Sequence, residues 1–296
     1  MFVQNPKKRV LSIVAFLVLC LTAASILPCV LYAQNDYTIE VAGYTWNHPT
    51  LTVSVVPQLN QSWWKPYYLN ATLHGIAQWN DAIQQFASEH SQFRYLSVVS
   101  FVPTVNYENA SGYDIDIHWI NQCSEESTIG TSEALIRPPC ITTKNTICLA
   151  TSSPTGHIMT EVDMQNIVVH EVGHALGVYH CGYSGDVMYS VVQYRNTVKE
   201  LSTLNLYCLA KSFEWLSVSS DFNKANTCPE KTYISLPSDL DYTRFAVAEE
   251  NLPTPVQQTL VEYAVELLSQ PEIFTVSICI CLLIVAFALV YNKRRR

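Results

Sequence analysis

Residues 170–180 read His170-Glu171-Val172-Gly173-His174-Ala175-Leu176-Gly177-Val178-Tyr179-His180. Four residues advance an α-helix by about 400°, so His170 and His174 are predicted to lie one turn apart on one helix face. Glu171 lies beside them on the same side. Gly177 can adopt a positive φ, which ends a helix and turns the chain so that His180 swings back. The stretch therefore predicts three imidazoles around one metal ion, with a carboxylate next to it.

A methionine follows the third histidine at a short distance. The run Asp186-Val187-Met188-Tyr189 places Met188 eight residues after His180. A bare H-E-x-x-H occurs in unrelated chains, but the added glycine, histidine and methionine form an extended motif with a methionine turn. On these residues the chain resembles the metzincin metalloproteases. Among them it is similar to the matrixins, through the spacing between His180 and Met188 and through the Met-Tyr pair.

The resemblance implies a specific chemistry for these residues. One catalytic zinc ion is expected on His170, His174 and His180, with Met188 on a tight turn beneath it as an apolar floor. Glu171 is expected as the general base, and the reaction as hydrolysis of peptide bonds inside a protein or peptide substrate. Three protein ligands leave the open fourth position of a catalytic zinc site. A calcium ion remains possible for such a domain, but no stretch shows calcium-ligand spacing.

Other interpretations of the motif stay open. The first is an ordinary buried helix with hydrogen-bonded histidines. The second is a zinc-binding surface recognition or adhesion domain without catalysis, which would need a closed metal site. The third is an aminopeptidase-like metallopeptidase. Cys181 directly follows the third histidine and is an alternative ligand, although three histidines already fill the usual protein ligand set.

Hydrophobic periodicity predicts a mixed fold around the motif. Strands are expected over 50–56, 93–103, 114–120 and 146–151, and a helix over 66–90. Residues 201–207 resemble the start of the last matrixin helix, which implies a further helix capped by Ser202 and running to about Trp215. Thr160 with Asp163 predicts the N-terminal cap of the helix that carries His170. The resemblance implies an α+β, metzincin-type zincin domain. In such a domain a twisted, mainly parallel mixed sheet packs on helices that include the active-site helix.

The resemblance also suggests where a substrate would bind. Leu149 and Ala150 match in type a Leu-Ala pair on a matrixin sheet edge that pairs with extended substrate backbone. Residues 190–196 would line the pocket for the substrate residue after the cleaved bond. Protein or peptide is therefore the expected partner at both places.

Two apolar ends frame the chain. Residues 1–33 read as a signal peptide or a signal-anchor, whose cleavage the sequence leaves open, because the apolar run after Lys7-Lys8-Arg9 is long enough to span a bilayer. Residues 273–291 are an uncharged apolar run before a basic tail at 292–296, which predicts a transmembrane helix. Between the ends, 34–215 is the predicted catalytic domain and 216–272 a stalk or linker. The expectation is a single-pass cell-membrane protein, or a two-pass one if the first segment is uncleaved, with the domain outside.

Charge and cysteine content agree with an exported domain. Between the two basic ends lie 10 basic and 25 acidic residues, a formal charge of −15, which argues against a nucleic-acid partner. Six cysteines lie outside the apolar ends: Cys123, Cys140, Cys148, Cys181, Cys208 and Cys228. An even number in an exported domain predicts disulfides. Cys181 with Cys208 is one candidate pair, and the sequence does not choose among the rest.

Overall fold

The β-branched stretches pair into one six-stranded sheet. The computed structural model describes residues 37–107, 111–123, 128–191, 194 and 197–246. The strands are β2 (Thr45–Trp46), β3 (Thr50–Val56), β4 (Ser100–Val105), β5 (Ile115–Ile120), β6 (Gly130–Arg137) and β7 (Ile141–Ala150). Neighbours follow the order β2-β7-β5-β3-β4, all parallel, and β6 joins β7 antiparallel. The predicted mainly parallel mixed sheet is confirmed.

One predicted strand is wrong over most of its length. The stretch 93–103 splits into a 3₁₀-helix, Ser91–Val98, and the start of β4 at Ser100. Phe93, Leu96 and Val99 are spaced by three residues, which matches the three-residue turn of a 3₁₀-helix. Leu96 and Val99 are fully buried, so this spacing places them together on the core.

Four α-helices lie within the part of the chain that the structure describes. They are α1 (Tyr67–Glu89), α2 (Glu161–Ala175), α3 (Thr203–Ser212) and α4 (Phe222–Ala225), and a second 3₁₀-helix spans Glu214–Ser217. The predicted apolar stripe of α1 is buried, with Ile76, Trp79, Ile83 and Phe86 all at 0% exposure. These side chains form the layer between α1 and its neighbours.

Helices α1 and α2 pack closely, and small and polar groups make that contact. The Trp79 indole nitrogen donates to the carbonyl of Val169 on α2 at 2.9 Å. A Cβ added at Gly75 would lie 2.8 Å from a methyl group of Val168, so only glycine allows this separation of the helices. Helix α2 is thereby fixed from behind by α1.

Residues 216–246 pack on the domain, which corrects their interpretation as part of a linker over 216–272. Strand β10 (Thr232–Ser235) pairs with β1 (Thr38–Val41), and β1 pairs in turn with β8 (Val178–Cys181). Strand β11 (Arg244–Phe245) pairs with β9 (Leu201–Ser202). Phe222 and Phe245 of this segment belong to the hydrophobic core, and Leu240 is also buried. They are isolated rather than periodic, so no amphipathic pattern marks them; residues 247–272 lie outside the described residues.

The disulfide differs from the candidate pair. Cys140, one residue before β7, is bonded to Cys228, so the bond closes an interval of 88 residues. Cys181 and Cys208 are free thiols. The thiol of Cys208 contacts the carbonyl of Glu40 on β1 at 3.6 Å, and β1 pairs with β8, the strand that carries Cys181. The pairing therefore follows from tertiary contacts.

No helix among the described residues is both long and apolar enough to cross a lipid bilayer. The predicted segments at 1–33 and 273–291 lie outside the described residues.

Candidate metal centre

Two local signals place the three histidines. The capping box at Thr160 is confirmed, since its hydroxyl accepts from the Asp163 amide and the Asp163 carboxylate accepts from the Thr160 amide. Helix α2 then brings His170 and His174 to one face. After the helix, Gly177 has a φ of +82°, as predicted, and His180 lies on the returning strand β8.

The three imidazoles converge. One nitrogen from each of His170, His174 and His180 lies within 4.8 Å of the others, and this is the metal-binding group that the described residues provide. The Nδ1 atom of His170 contacts the carbonyl of Val187 at 2.8 Å, and that of His174 contacts the carbonyl of Val178 at 2.9 Å. A carbonyl partner fixes Nδ1 as the protonated nitrogen and leaves Nε2 as the ligand.

The electrostatics favour neutral, metal-binding imidazoles. Burial lowers the pKa of His170 to about 4. Burial, with the neighbouring histidines, holds the pKa of His174 well below its ordinary value, and burial also lowers the pKa of His180. Only the neutral imidazole binds a metal ion, so the site is ready for a divalent cation near neutral pH. The donor set therefore fits zinc.

Glu171 is buried beside the histidines, against the first residue of β6. Burial raises the pKa of its carboxyl group to about 8 when no cation is near. A Cβ added at Gly130 would lie 2.5 Å from Oε1 of Glu171. The absence of a side chain at Gly130 therefore lets the strand pass directly over this carboxylate. Sequence periodicity offered no signal for that contact.

Met188 packs against the helix that carries His170 and His174. Its side chain is fully buried, and a Cβ added at Gly173 would lie 2.6 Å from its sulfur atom. Gly173 stands between the two helical histidines, so the methionine packs against the backbone that carries them. The carbonyl of Met188 also accepts from the amide of Cys181, next to His180.

A cleft of about 530 Å³ opens over the metal-binding group. Its walls are formed by Thr128, Ile129, Gly130, Thr131 and Ser132 on one side, Ile167, His170, Glu171 and His174 below, and His180, Ser190, Val191 and Tyr194 opposite. Three residues of the predicted pocket stretch 190–196 are thus in the cleft wall, and the other four lie outside the described residues.

The strand that forms the sheet edge at the cleft is β6, and not β7, on which Leu149 and Ala150 lie. Strand β7, which carries Leu149 and Ala150, pairs with β5 on one side and with β6 on the other, and both residues are fully buried. Within the described residues β6 pairs with β7 alone. The assignment of Leu149 and Ala150 to the edge is therefore wrong. The Leu-Ala pair matched in residue type, but it did not show which strand is outermost in the sheet.

Comparison with known proteins adds a family to this geometry. Residues 77–206 match the peptidase family model described as Matrixin. The chain contains a matrixin-like metzincin domain. The match spans helix α2, the three histidines and Met188, and it supports a zinc metalloprotease, a hydrolase, as the type of this domain. A search of curated proteins gave no match.

Two residues that precede the matched range hold the C-terminal end of α2, and no sequence pattern indicated this role. The hydroxyl of Tyr44 donates to the carbonyl of His174 at 2.7 Å, and the indole of Trp46 donates to the carbonyl of Ala175 at 2.9 Å. The last carbonyls of a helix have no partner inside it. These bonds satisfy two of them across about 130 residues of sequence, so the N-terminal segment helps to hold the second metal-binding histidine.

Proposed function

We propose that this protein is a membrane-anchored, extracellular zinc endopeptidase. The observation that carries the proposal is the convergence of His170, His174 and His180 beside a buried carboxylate, on the floor of a cleft bordered by strand β6, which pairs on one side only within the described residues. A closed structural zinc site would require a fourth protein ligand. Among the described residues the group has three, which favours the catalytic interpretation.

Glu171 acts as the general base in this proposal. When bound, zinc supplies Lewis-acid chemistry: it makes water more acidic and polarises the carbonyl of the scissile bond. Glu171 accepts the proton of the attacking water and then delivers it to the nitrogen of the leaving amine. A base must be ionised, and a divalent cation near a buried carboxylate lowers its pKa from the raised value of about 8. The role of Met188 is to pack under the imidazoles.

Strand β6 is the proposed binding edge for substrate. The amide of Ala150 donates to the carbonyl of Ile129, and the alternation of an antiparallel ladder then directs the backbone groups of Gly130 and Ser132 away from β7. Both residues line the cleft. An extended peptide would add to this edge as a further strand, which reads main chain more than side chains and suits cleavage within a chain.

Export and anchoring rest on the sequence at the two ends. The signal or signal-anchor at 1–33 and the apolar run at 273–291 place the domain outside the membrane in this proposal, with the basic tail 292–296 in the cytoplasm. The bond between Cys140 and Cys228 supports an oxidising compartment.

The test uses the full-length protein and its Glu171→Gln variant. Zinc content, cleavage of an unfolded protein and the position of the first cut are measured, with a chelator and after zinc is restored. Because the variant keeps the ligands and loses the base, we expect one zinc in both proteins and a turnover lower by a factor of about 10² or more in the variant. Glu161→Gln, an exposed change on the same helix, should leave turnover unaltered.

Each alternative gives a different result. Full turnover by Glu171→Gln would refute the mechanism. A first cut at the end of the peptide would indicate an aminopeptidase. A zinc-loaded protein that cleaves nothing would indicate a recognition domain.

A further inference from the structure

The turn at residues 186–188 contacts, through its backbone, the two segments that carry His170 and His180. The carbonyl of Val187 holds Nδ1 of His170 at 2.8 Å. The carbonyl of Met188 accepts from the amide of Cys181 at 3.0 Å, one residue after His180. A shift of this turn would therefore move two of the three imidazoles.

The carboxylate of Asp186 fixes that turn from below. It is 1% exposed, and its Oδ1 accepts from the amide of Met188 at 2.8 Å. The other donors come from more distant parts of the chain: Asn205 to Oδ1 at 2.8 Å, Ser202 to Oδ2 at 2.6 Å and Tyr242 to Oδ2 at 2.9 Å. A buried carboxylate is stable only when its oxygen atoms are hydrogen-bonded, so each donor matters to its position.

Among these donors, Tyr242 lies outside residues 77–206, the range that matches the family model. Its ring stacks on Tyr37, with centroids 4.5 Å apart, and meets the edge of Tyr183 at 5.4 Å. The next residue, Thr243, accepts through its carbonyl from the amide of Thr203 at 3.0 Å, and Arg244 begins β11. These contacts hold the Tyr242 hydroxyl against Asp186, although 56 residues separate the two in sequence.

We propose that Tyr242 is a positioning residue for the metal centre, acting through the Asp186 carboxylate on the turn that carries Val187 and Met188. The path consists of successive hydrogen bonds: from Tyr242 to Asp186, from the Met188 amide to the same carboxylate, and from His170 Nδ1 and the Cys181 amide to the turn carbonyls. The segment 216–246 is therefore part of the catalytic unit. The inference rests on the proposed zinc site, but not on proteolysis.

The test compares Tyr242→Phe with Tyr95→Phe in the full-length protein. Tyr95 is a matched control, because its hydroxyl is also partly buried and donates to a carbonyl, that of Ala210 on α3 at 3.0 Å, away from the turn. The readouts are the zinc dissociation constant, by competition with a chelator, and the d–d absorption spectrum of the cobalt-substituted protein. Thermal unfolding is measured alongside them.

Both variants lose one hydrogen bond, so both should unfold at a somewhat lower temperature. Partners of metal-binding histidines typically contribute 10- to 100-fold to metal affinity, and Tyr242 acts one step further out. We therefore expect the zinc dissociation constant to rise about three- to tenfold in Tyr242→Phe alone, with a shifted cobalt spectrum. If Tyr242→Phe and Tyr95→Phe bind zinc equally well and give the same spectrum, Tyr242 is only a structural residue and the proposal fails.

A double-mutant cycle with Asp186→Asn tests the route. If Tyr242 acts through this carboxylate, Tyr242→Phe should change zinc affinity little once Asp186 is replaced. Fully additive effects would overturn the proposed path. A wild-type protein that binds zinc but cleaves nothing would refute the endopeptidase proposal, while these metal-binding measurements would still decide the role of Tyr242.

Discussion

Gly173 shows how a single residue controls the floor of the metal site. Alanine usually favours a helix over glycine by about 1 kcal/mol, so the change would normally stabilise α2. Here the new Cβ would lie 2.6 Å from the sulfur of Met188 and 3.2 Å from the Trp79 ring. We expect Gly173→Ala to lower the free energy of unfolding by about 1–3 kcal/mol, as overpacking does, and to weaken zinc binding. Urea unfolding and zinc competition measure both.

As a control, the stability cost of Gly173→Ala is also measured in a protein that already carries Met188→Ala. The shorter side chain leaves room for the added methyl group, so Gly173→Ala should cost less stability there than in the wild type. An equal cost in both backgrounds would mean that the contact with Met188 is not what requires glycine.

At the scale of one element, strand β6 serves as an edge that is open toward the cleft. Proline is tolerated on an edge strand where its missing N–H would face outward. Ser132→Pro removes a backbone donor on the cleft side, and one such hydrogen bond contributes about 1 kcal/mol. We expect kcat/KM for a peptide to fall about five- to tenfold at unchanged zinc content.

Ser132→Ala is the control for the strand, because it removes only the side chain, which donates to Asn145 at 3.1 Å. It should keep most of the peptide-cleaving activity. If Ser132→Pro and Ser132→Ala have the same kcat/KM, substrate does not pair with this edge.

At the scale of the whole molecule, the Cys140–Cys228 bond ties the C-terminal segment to the hairpin of β6 and β7. A cross-link over 88 residues restricts the unfolded chain strongly. Replacing both cysteines by serine should lower the free energy of unfolding by about 2–5 kcal/mol. The urea midpoint of the zinc-loaded protein measures this loss.

A dithiol reductant provides the control for the disulfide. It should shift the wild-type midpoint toward that of the double serine variant and leave the variant itself unchanged. A variant with the wild-type midpoint would show that the bond contributes nothing to stability.

The sequence by itself determined the parts of the site that depend on local geometry. The helical period aligned His170 with His174, Gly177 took the positive φ that returns His180, and Thr160 capped the helix. Each of these features arises within about 20 residues, where backbone geometry leaves few alternatives. The mainly parallel sheet also followed, because β-branched periodicity marks strands and the resemblance implied a mainly parallel mixed sheet.

Only the tertiary structure decided the long-range contacts. Strand β6 rather than β7 is the edge, Cys140 rather than Cys181 is disulfide-bonded, and Tyr242 reaches Asp186 across 56 residues. Such pairings depend on which elements become neighbours after folding. A sequence pattern indicates which face of a helix or strand a residue occupies. It does not identify the residue that this side chain contacts after folding.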